Sequence, residues 1–328
     1  MNKDVSPPAM THYEAGEKLQ YVRAQINNVL IGQQEVVEQV LTAMVASGHV
    51  LLEGVPGLGK TLLVQAFAAC INGHYKRIQF TPDLMPADIT GHALYDMHEG
   101  RFRIRRGPAF TNLLLADEIN RAPAKTQAAL LEVMQENQVT IEGESIKLSP
   151  PFMVLATQNP IEQDGTYPLP EAELDRFLLK IDIDYPSQAH EVDLTRQVVS
   201  GYIDHFLTAN SEPAILSGKD INQLQQLCTS ITVDNQVIDY AVRLARATRE
   251  NVAIVSGAGP RASIGMVRAA QARALIRGAD FVLPDDIKSV ALPVMRHRII
   301  LAADVEIEGQ TPDTILSHLL ATVETPRL

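Results

Sequence analysis

The 328-residue chain has two cysteines, Cys70 and Cys228, far apart, and neither has a second Cys at metal-ligand spacing. A disulfide framework and a zinc site are both disfavoured. The chain also lacks any uninterrupted apolar window of about 18 residues, the length a membrane-crossing helix needs. Its start does not join a basic segment to an apolar run of signal-peptide length. The expectation is a soluble, cytoplasmic protein with no membrane span. Positive charge is in deficit, with 28 Lys and Arg against 39 Asp and Glu, a formal net charge of −11. That balance disfavours broad contact with nucleic acid, although a local basic patch remains open. No fixed-period repeat or low-complexity tract stands out.

The chain does have ample core material, 46% hydrophobic residues against 20% charged, enough for two domains or one large domain with an appendage. Its organising stretch is Gly54-Val55-Pro56-Gly57-Leu58-Gly59-Lys60-Thr61, with Leu62 next. Two glycines with four residues between them, then Lys and Thr, is the pattern of a loop that turns backbone N–H groups onto a polyphosphate. The glycines supply backbone freedom where a Cβ would clash. Lys60 can reach the β and γ phosphates, and the Thr61 hydroxyl can ligate Mg²⁺. A strand must precede such a loop and a helix must follow it, because the helix N-terminus adds oriented donors. The apolar run His49–Glu53 and the breaker-poor stretch from Thr61 to Cys70 fit those two places. A nucleoside triphosphate is the expected ligand.

Upstream, Met1–Thr11 reads as a loose segment, and helices are expected over Tyr13–Leu30 and Gln34–Ser47. The Ile31-Gly32-Gln33 link between them is either a nucleotide-base contact or a plain turn. Downstream, Tyr75–Phe80 reads as a strand, and Gly91–Pro108 as an inserted hairpin whose second arm carries Arg101, Arg103, Arg105 and Arg106. That cluster faces a client, a subunit or solvent. Thr111–Glu118 is an apolar strand delivering Asp117 and Glu118 at its end, the edge where parallel sheets bind ligands. Asp117 would hold Mg²⁺, and Glu118 would polarise the water that attacks the γ-phosphate. Taken alone, the pair reads equally well as a helix cap or a solvated turn. Pro123–Glu136 reads as a helix and Asn137–Leu148 as a second hairpin. The apolar strand Phe152–Asn159 then ends in Thr157, Gln158 and Asn159, and Asn159 either aims at the γ-phosphate or opens a turn. Past Tyr185-Pro186 the pattern is helical, over Gln188–Tyr202, Asp220–Thr229, Val233–Asn251, Arg261–Arg277 and Asp285–Leu301, with a short helix over Thr311–Val323.

Five stretches in this order and spacing resemble the MoxR family of AAA+ ATPases. They are Gly54–Thr61, Leu114–Pro123, Ala156–Pro160, Leu169–Phe177 and Gly259–Ser263, and the similarity runs from about Gly32 to at least Arg298. The resemblance implies an α/β fold: a P-loop AAA+ core with a parallel sheet and inserted β-hairpins, followed by a smaller all-α lid domain. The expected division is 1–31 for an N-terminal segment and helix, 32–185 for the core and 186–328 for the lid. ATP and Mg²⁺ are the implied cofactors. Lys60 and Thr61 match the Walker A pair, Asp117 and Glu118 the Walker B pair, and Asn159 sensor 1. Arg176 matches the arginine finger supplied to a neighbouring subunit, and Arg261 matches sensor 2. The resemblance further implies a homo-oligomeric ring, expected as a hexamer, that remodels protein clients with von Willebrand factor A domain partners. A chelatase-like motor for metal insertion and a nucleotide-gated scaffold with little turnover are the alternatives; acidity weighs against a nucleic-acid motor.

Overall fold

A computed structural model describes residues 10–55, 57–159, 165–203, 206 and 215–326. Most of the expected loose segment, Pro56 of the loop and Pro160 therefore lie outside the described residues.

Helix α1 (His12–Asn27) opens on a capping box, Thr11 with Glu14, and α2 (Gln34–Val45) follows a turn at Gly32. Strand β1 (Val50–Glu53) leads through the glycine loop into α3 (Lys60–Cys70), then β2 (Ile71–Asn72) and β3 (Tyr75–Gln79). A short α4 (Pro86–Thr90) introduces the hairpin of β4 (Gly91–Asp96) and β5 (Arg101–Arg106). Strand β6 (Leu113–Asp117) precedes α5 (Ala124–Glu136), and β7 (Gln138–Ile141) with β8 (Glu144–Lys147) makes the second hairpin. The core closes with β9 (Met153–Gln158), α6 (Glu171–Leu174) and β10 (Leu179–Asp182). Then come α7 (Gln188–Val199), β11 (Leu216–Ser217), α8 (Gly218–Ser230), α9 (Asn235–Glu250), β12 (Ile254–Ser256), α10 (Pro260–Ile276), α11 (Pro284–Met295), β13 (Ile300–Leu301), α12 (Ala303–Ile307) and α13 (Pro312–Thr322).

Five strands pair in parallel in the order β10-β1-β9-β6-β3. The three inner strands are buried until their last residue, where Glu53, Asp117 and Gln158 surface. Alternate residues feed two cores. Val50, Leu52, Leu113, Leu115, Met153 and Leu155 join the core under α1, α2, α3 and the lid helices. Leu51, Leu114, Ala116, Val154 and Ala156 join the core under α4, α5 and the hairpins. This two-residue period on a sheet covered on both faces explains why the strands read as continuous apolar runs. Along the three inner strands the side chains stay apolar until Glu53, Asp117 and Thr157–Gln158, so the polar groups of these strands collect where they end.

Helix α11 was expected to continue to Leu301 and instead stops at Met295. Beyond it the chain turns so that Ile300–Leu301 pairs antiparallel with β12, which sets Arg296, His297 and Arg298 against the core. The lid is thus helical apart from two-to-three-residue strands. In the first hairpin Arg101 pairs with Glu99, Arg103 with Asp96 and Glu99, and Arg106 lies over the Phe110 ring. Most of that arm's charge is spent locally. The hairpin instead exposes apolar side chains: Met97 is 89% and Phe102 72% accessible.

Candidate functional site

The glycine loop joins the end of β1 to the start of α3. Gly57 and Gly59 adopt φ of 89° and 81°, a region that L side chains seldom enter. Gly54 is needed for a different reason. A Cβ there would come within 2.7 Å of the Ile183 carbonyl oxygen, just beyond the adjacent strand β10. Gly59 caps α3 without a side-chain hydrogen bond to the first-turn amides, and an uncapped helix start is one that receives an anion. Val55, Leu58, Thr61 and Leu62 are half-buried along this loop and first turn. Lys60 donates its Nζ protons to the carbonyls of Gly54 and Gln158, the latter at 3.1 Å, so it bridges β1's exit to β9's end. Burial lowers its pKa, and the carboxylates of Asp117, Glu118 and Glu53 oppose that shift. An ammonium held by neutral carbonyls among three carboxylates is in the right place to exchange those carbonyls for phosphate oxygens.

Across the strand ends, Thr157 is the organiser. Its hydroxyl donates to Asp117 Oδ1 at 2.6 Å and accepts the Glu118 N–H at 2.9 Å. It is 1% exposed. The second bond holds Glu118 in the left-handed region, φ 57° and ψ 50°, which costs a non-glycine residue roughly 1–2 kcal/mol and turns its side chain away from the strand direction. Glu118 Oε2 accepts from Gln79 Nε2 at 2.8 Å and pairs with Arg121 at 3.3 Å. Asp117 Oδ2 accepts from Arg77 Nη2 at 2.6 Å. Asn159 is buried one residue beyond β9, beside this group in the chain. The described residues contain no cluster of three or more His, Cys, Asp or Glu suited to a metal. A Mg²⁺ at Asp117 would therefore complete its shell from Thr61, phosphate oxygens and water, which suits this donor set.

Lys60, Thr61, Asp117, Glu118 and Asn159 thus gather at one end of the sheet. Arg176 and Arg261 do not. Arg176 precedes β10 at the opposite end, where the Leu178 N–H donates to the His49 carbonyl before β1 begins. At about 3.3 Å per residue, the register from His49–Leu178 to Glu53–Ile183 sets Arg176 about 16 Å or more from the loop, beyond the reach of its side chain. Arg261 opens α10 and donates to Asp175 Oδ2 at 3.2 Å, so both arginines lie on one face. They border a cavity of about 820 Å³ that includes Lys147 and Arg268. Spacing had not foreseen that Asp175 would bind Arg261 and Arg298, leaving Arg176 without an ion pair among the described residues. Thr157 had a faint signal as a polar strand end; Arg77 and Gln79 had none, since an exposed edge strand carries such residues for solubility.

Residues 49–179 match the ATPase family associated with various cellular activities (AAA), and residues 246–319 match the AAA lid domain. Chaperone MoxR1 of Mycobacterium tuberculosis is 42% identical over 98% of this chain and 87% of that protein. The chain belongs to the MoxR family of AAA+ ATPases. Protein MoxR of Methylorubrum extorquens is 30% identical over 92% of this chain and 93% of its own length. A solved structure from Cytophaga hutchinsonii superposes at a TM-score of 0.86 with 40% identity, over 96% of this chain and 97% of that one. The family's fold, an α/β nucleotide-binding core with a helical lid, is the one described above, and membership supports nucleotide binding and ATPase activity in general. No helix among the described residues is long and apolar enough to cross a membrane.

Proposed function

We propose that this MoxR-family chain hydrolyses ATP to ADP and phosphate at a site shared between subunits of a ring, expected as a hexamer, and uses the cycle to remodel protein clients. Gly54 to Leu62, Pro56 included, would wrap the phosphates. Lys60 would neutralise β and γ oxygens, and Thr61 with Asp117 would hold Mg²⁺. The metal would supply charge neutralisation at the phosphates when bound. Glu118 would accept a proton from the attacking water, and Asn159 would orient the γ-phosphate or that water. Glu118 must first leave Gln79 and Arg121, so its present pose is a resting one.

The observation that carries the shared-site reading is the placement of Arg176 and Arg261 at the sheet end remote from their own loop. Guanidiniums there serve a neighbour's phosphate, where a transferred arginine contributes about 10³–10⁵ in turnover. Of the core and lid, expected to meet near residue 185, the lid would move with nucleotide state. The exposed Met97, Phe102, Leu94 and Tyr95 of the first hairpin would grip apolar client segments. The expected partner class is a protein with a von Willebrand factor A domain, acting in the cytoplasm. The test is specific ATPase activity against protein concentration, with Arg176→Ala doped into the parent. Activity per chain should rise with concentration and fall on doping. Flat activity that ignores Arg176→Ala would replace the ring with a monomeric nucleotide switch.

A further inference from the structure

Three consecutive residues after α11 grip the segment that carries Arg176. The Arg298 side chain is 4% exposed. Its Nε donates to Asp175 Oδ1 at 2.7 Å, its Nη2 to the Phe177 carbonyl at 2.7 Å and the Asp175 carbonyl at 3.3 Å, and its Nη1 to the Leu178 carbonyl at 3.3 Å and the Val294 carbonyl. His297 Nε2 bonds the same Phe177 carbonyl at 3.1 Å, and Arg296 donates to Asp182 further along the edge strand at 2.7 Å. The carbonyls on both sides of Arg176 are therefore tied to one guanidinium, while Arg176 itself keeps no ion pair among the described residues. The other oxygen of Asp175 binds Arg261, which is 56% exposed at its side chain.

We propose that Arg298 is a positioning residue for ATP hydrolysis: it fixes the backbone of Arg176 to the lid and, through Asp175, sets Arg261 beside it, so that both arginines present to the neighbouring subunit as one body. The inference rests on the shared-site reading above. Its physical basis is the shape of the donor. A guanidinium is a planar fork whose five N–H groups have fixed directions, so saturating it defines an orientation as well as a distance. A lysine at the same place keeps the charge and makes at most three bonds from a flexible stem. Arg176 lies before the first residue of β10 that pairs with β1, so a looser Asp175–Leu178 segment would let it wander by an ångström or more at the neighbour's phosphate, a displacement that can cost about 100-fold in rate. The chain's own nucleotide loop, at the far end of β10, would not sense the change.

The experiment compares Arg298→Lys, Asp175→Asn, Arg176→Ala and the double variant Arg176→Ala/Arg298→Lys at a protein concentration that saturates assembly. It measures kcat, KM for ATP, binding of a fluorescent ATP analogue and thermal unfolding. Arg298→Lys should lower kcat about 10- to 100-fold with KM and analogue affinity near parent values. The double variant should be slowed well short of the product of the two single effects, because once Arg176 is gone Arg298 has only Arg261 left to position. Parent kcat in Arg298→Lys, or a double variant slowed by the product of both factors, overturns the inference. If Arg298→Lys does not unfold cooperatively, Asp175→Asn carries the same comparison against Arg176→Ala. Parent kcat in Arg176→Ala would instead overturn the shared site itself, whatever Arg298 does.

Discussion

Replacing Thr157 by Val removes one oxygen and nearly conserves shape, so its effect isolates the hydroxyl that ties Asp117 to Glu118. In the parent that hydroxyl makes a 2.6 Å bond to a carboxylate and receives the backbone N–H of a residue held in a left-handed conformation. A hydrogen bond to a charged group contributes about 1.5–3 kcal/mol, and a buried N–H left without an acceptor costs about 1–3 kcal/mol. Thr157 is buried, so water cannot replace it in place. Relaxation of Glu118 out of its left-handed turn would recover part of the loss. The net expectation is about 3 kcal/mol of stability, a large share of what a domain possesses. Turnover should fall about 100-fold, because Glu118 would no longer emerge from the strand at the angle that faces the γ-phosphate. The assay is urea unfolding followed by circular dichroism, paired with steady-state ATPase kinetics, on Thr157→Val and Thr157→Ser. The serine variant should keep both quantities near the parent. A valine variant with parental stability and turnover would refute the assignment of Thr157 as the organiser of this site.

Other consequences are simpler to test. Lys60→Ala should lose nucleotide affinity by at least tenfold, read by titration with a fluorescent ATP analogue; tight binding in that variant would remove Lys60 from the phosphate site. Glu118→Gln should bind ATP yet stall in hydrolysis, giving a longer-lived nucleotide complex, and undiminished single-turnover rates would mean that the water is activated elsewhere. The protein should lose stability as pH falls, partly through His49. Full burial disfavours the imidazolium and pushes its pKa down to about 4, against the Met134 carbonyl, which accepts from Nε2–H and favours the charged ring; Nδ1 accepts the Val154 N–H in the neutral form. The unfolded chain binds the proton first, so stability is complete above about pH 6.5 and declines as pH falls to about 4, by on the order of 3 kcal/mol from this residue. Urea midpoints that stay level from pH 7.5 to 4.5 would contradict that account.

The fold class and the near half of the site were legible because they depend on local order. Strands buried on both faces must be apolar throughout, and whatever polar residue ends such a strand is placed at the ligand edge without further instruction. Asp117, Glu118 and Asn159 could be read for that reason, and Lys60 and Thr61 because a phosphate loop fixes their spacing. The sequence also determined where hairpins interrupt the core, since Gly91, Gly100 and Gly143 mark turns with positive φ.

Only the tertiary structure decided what those residues do to one another. Thr157 is an ordinary strand-end residue until β9 lies beside β6. The arginines of the first hairpin read as a free basic patch until the turn brings Asp96 and Glu99 back onto them. Arg298 sits in a stretch whose apolar spacing extends a helix to Leu301, and its role exists only because the chain leaves that helix at Met295 and folds onto β10. Arg176 and Arg261 lie 85 positions apart with no periodicity linking them, and their common face, remote from their own loop, follows from which end of a parallel sheet each reaches. Local pattern depends on neighbours a few residues away and is written along the chain, whereas contacts between distant segments are fixed by how whole elements pack.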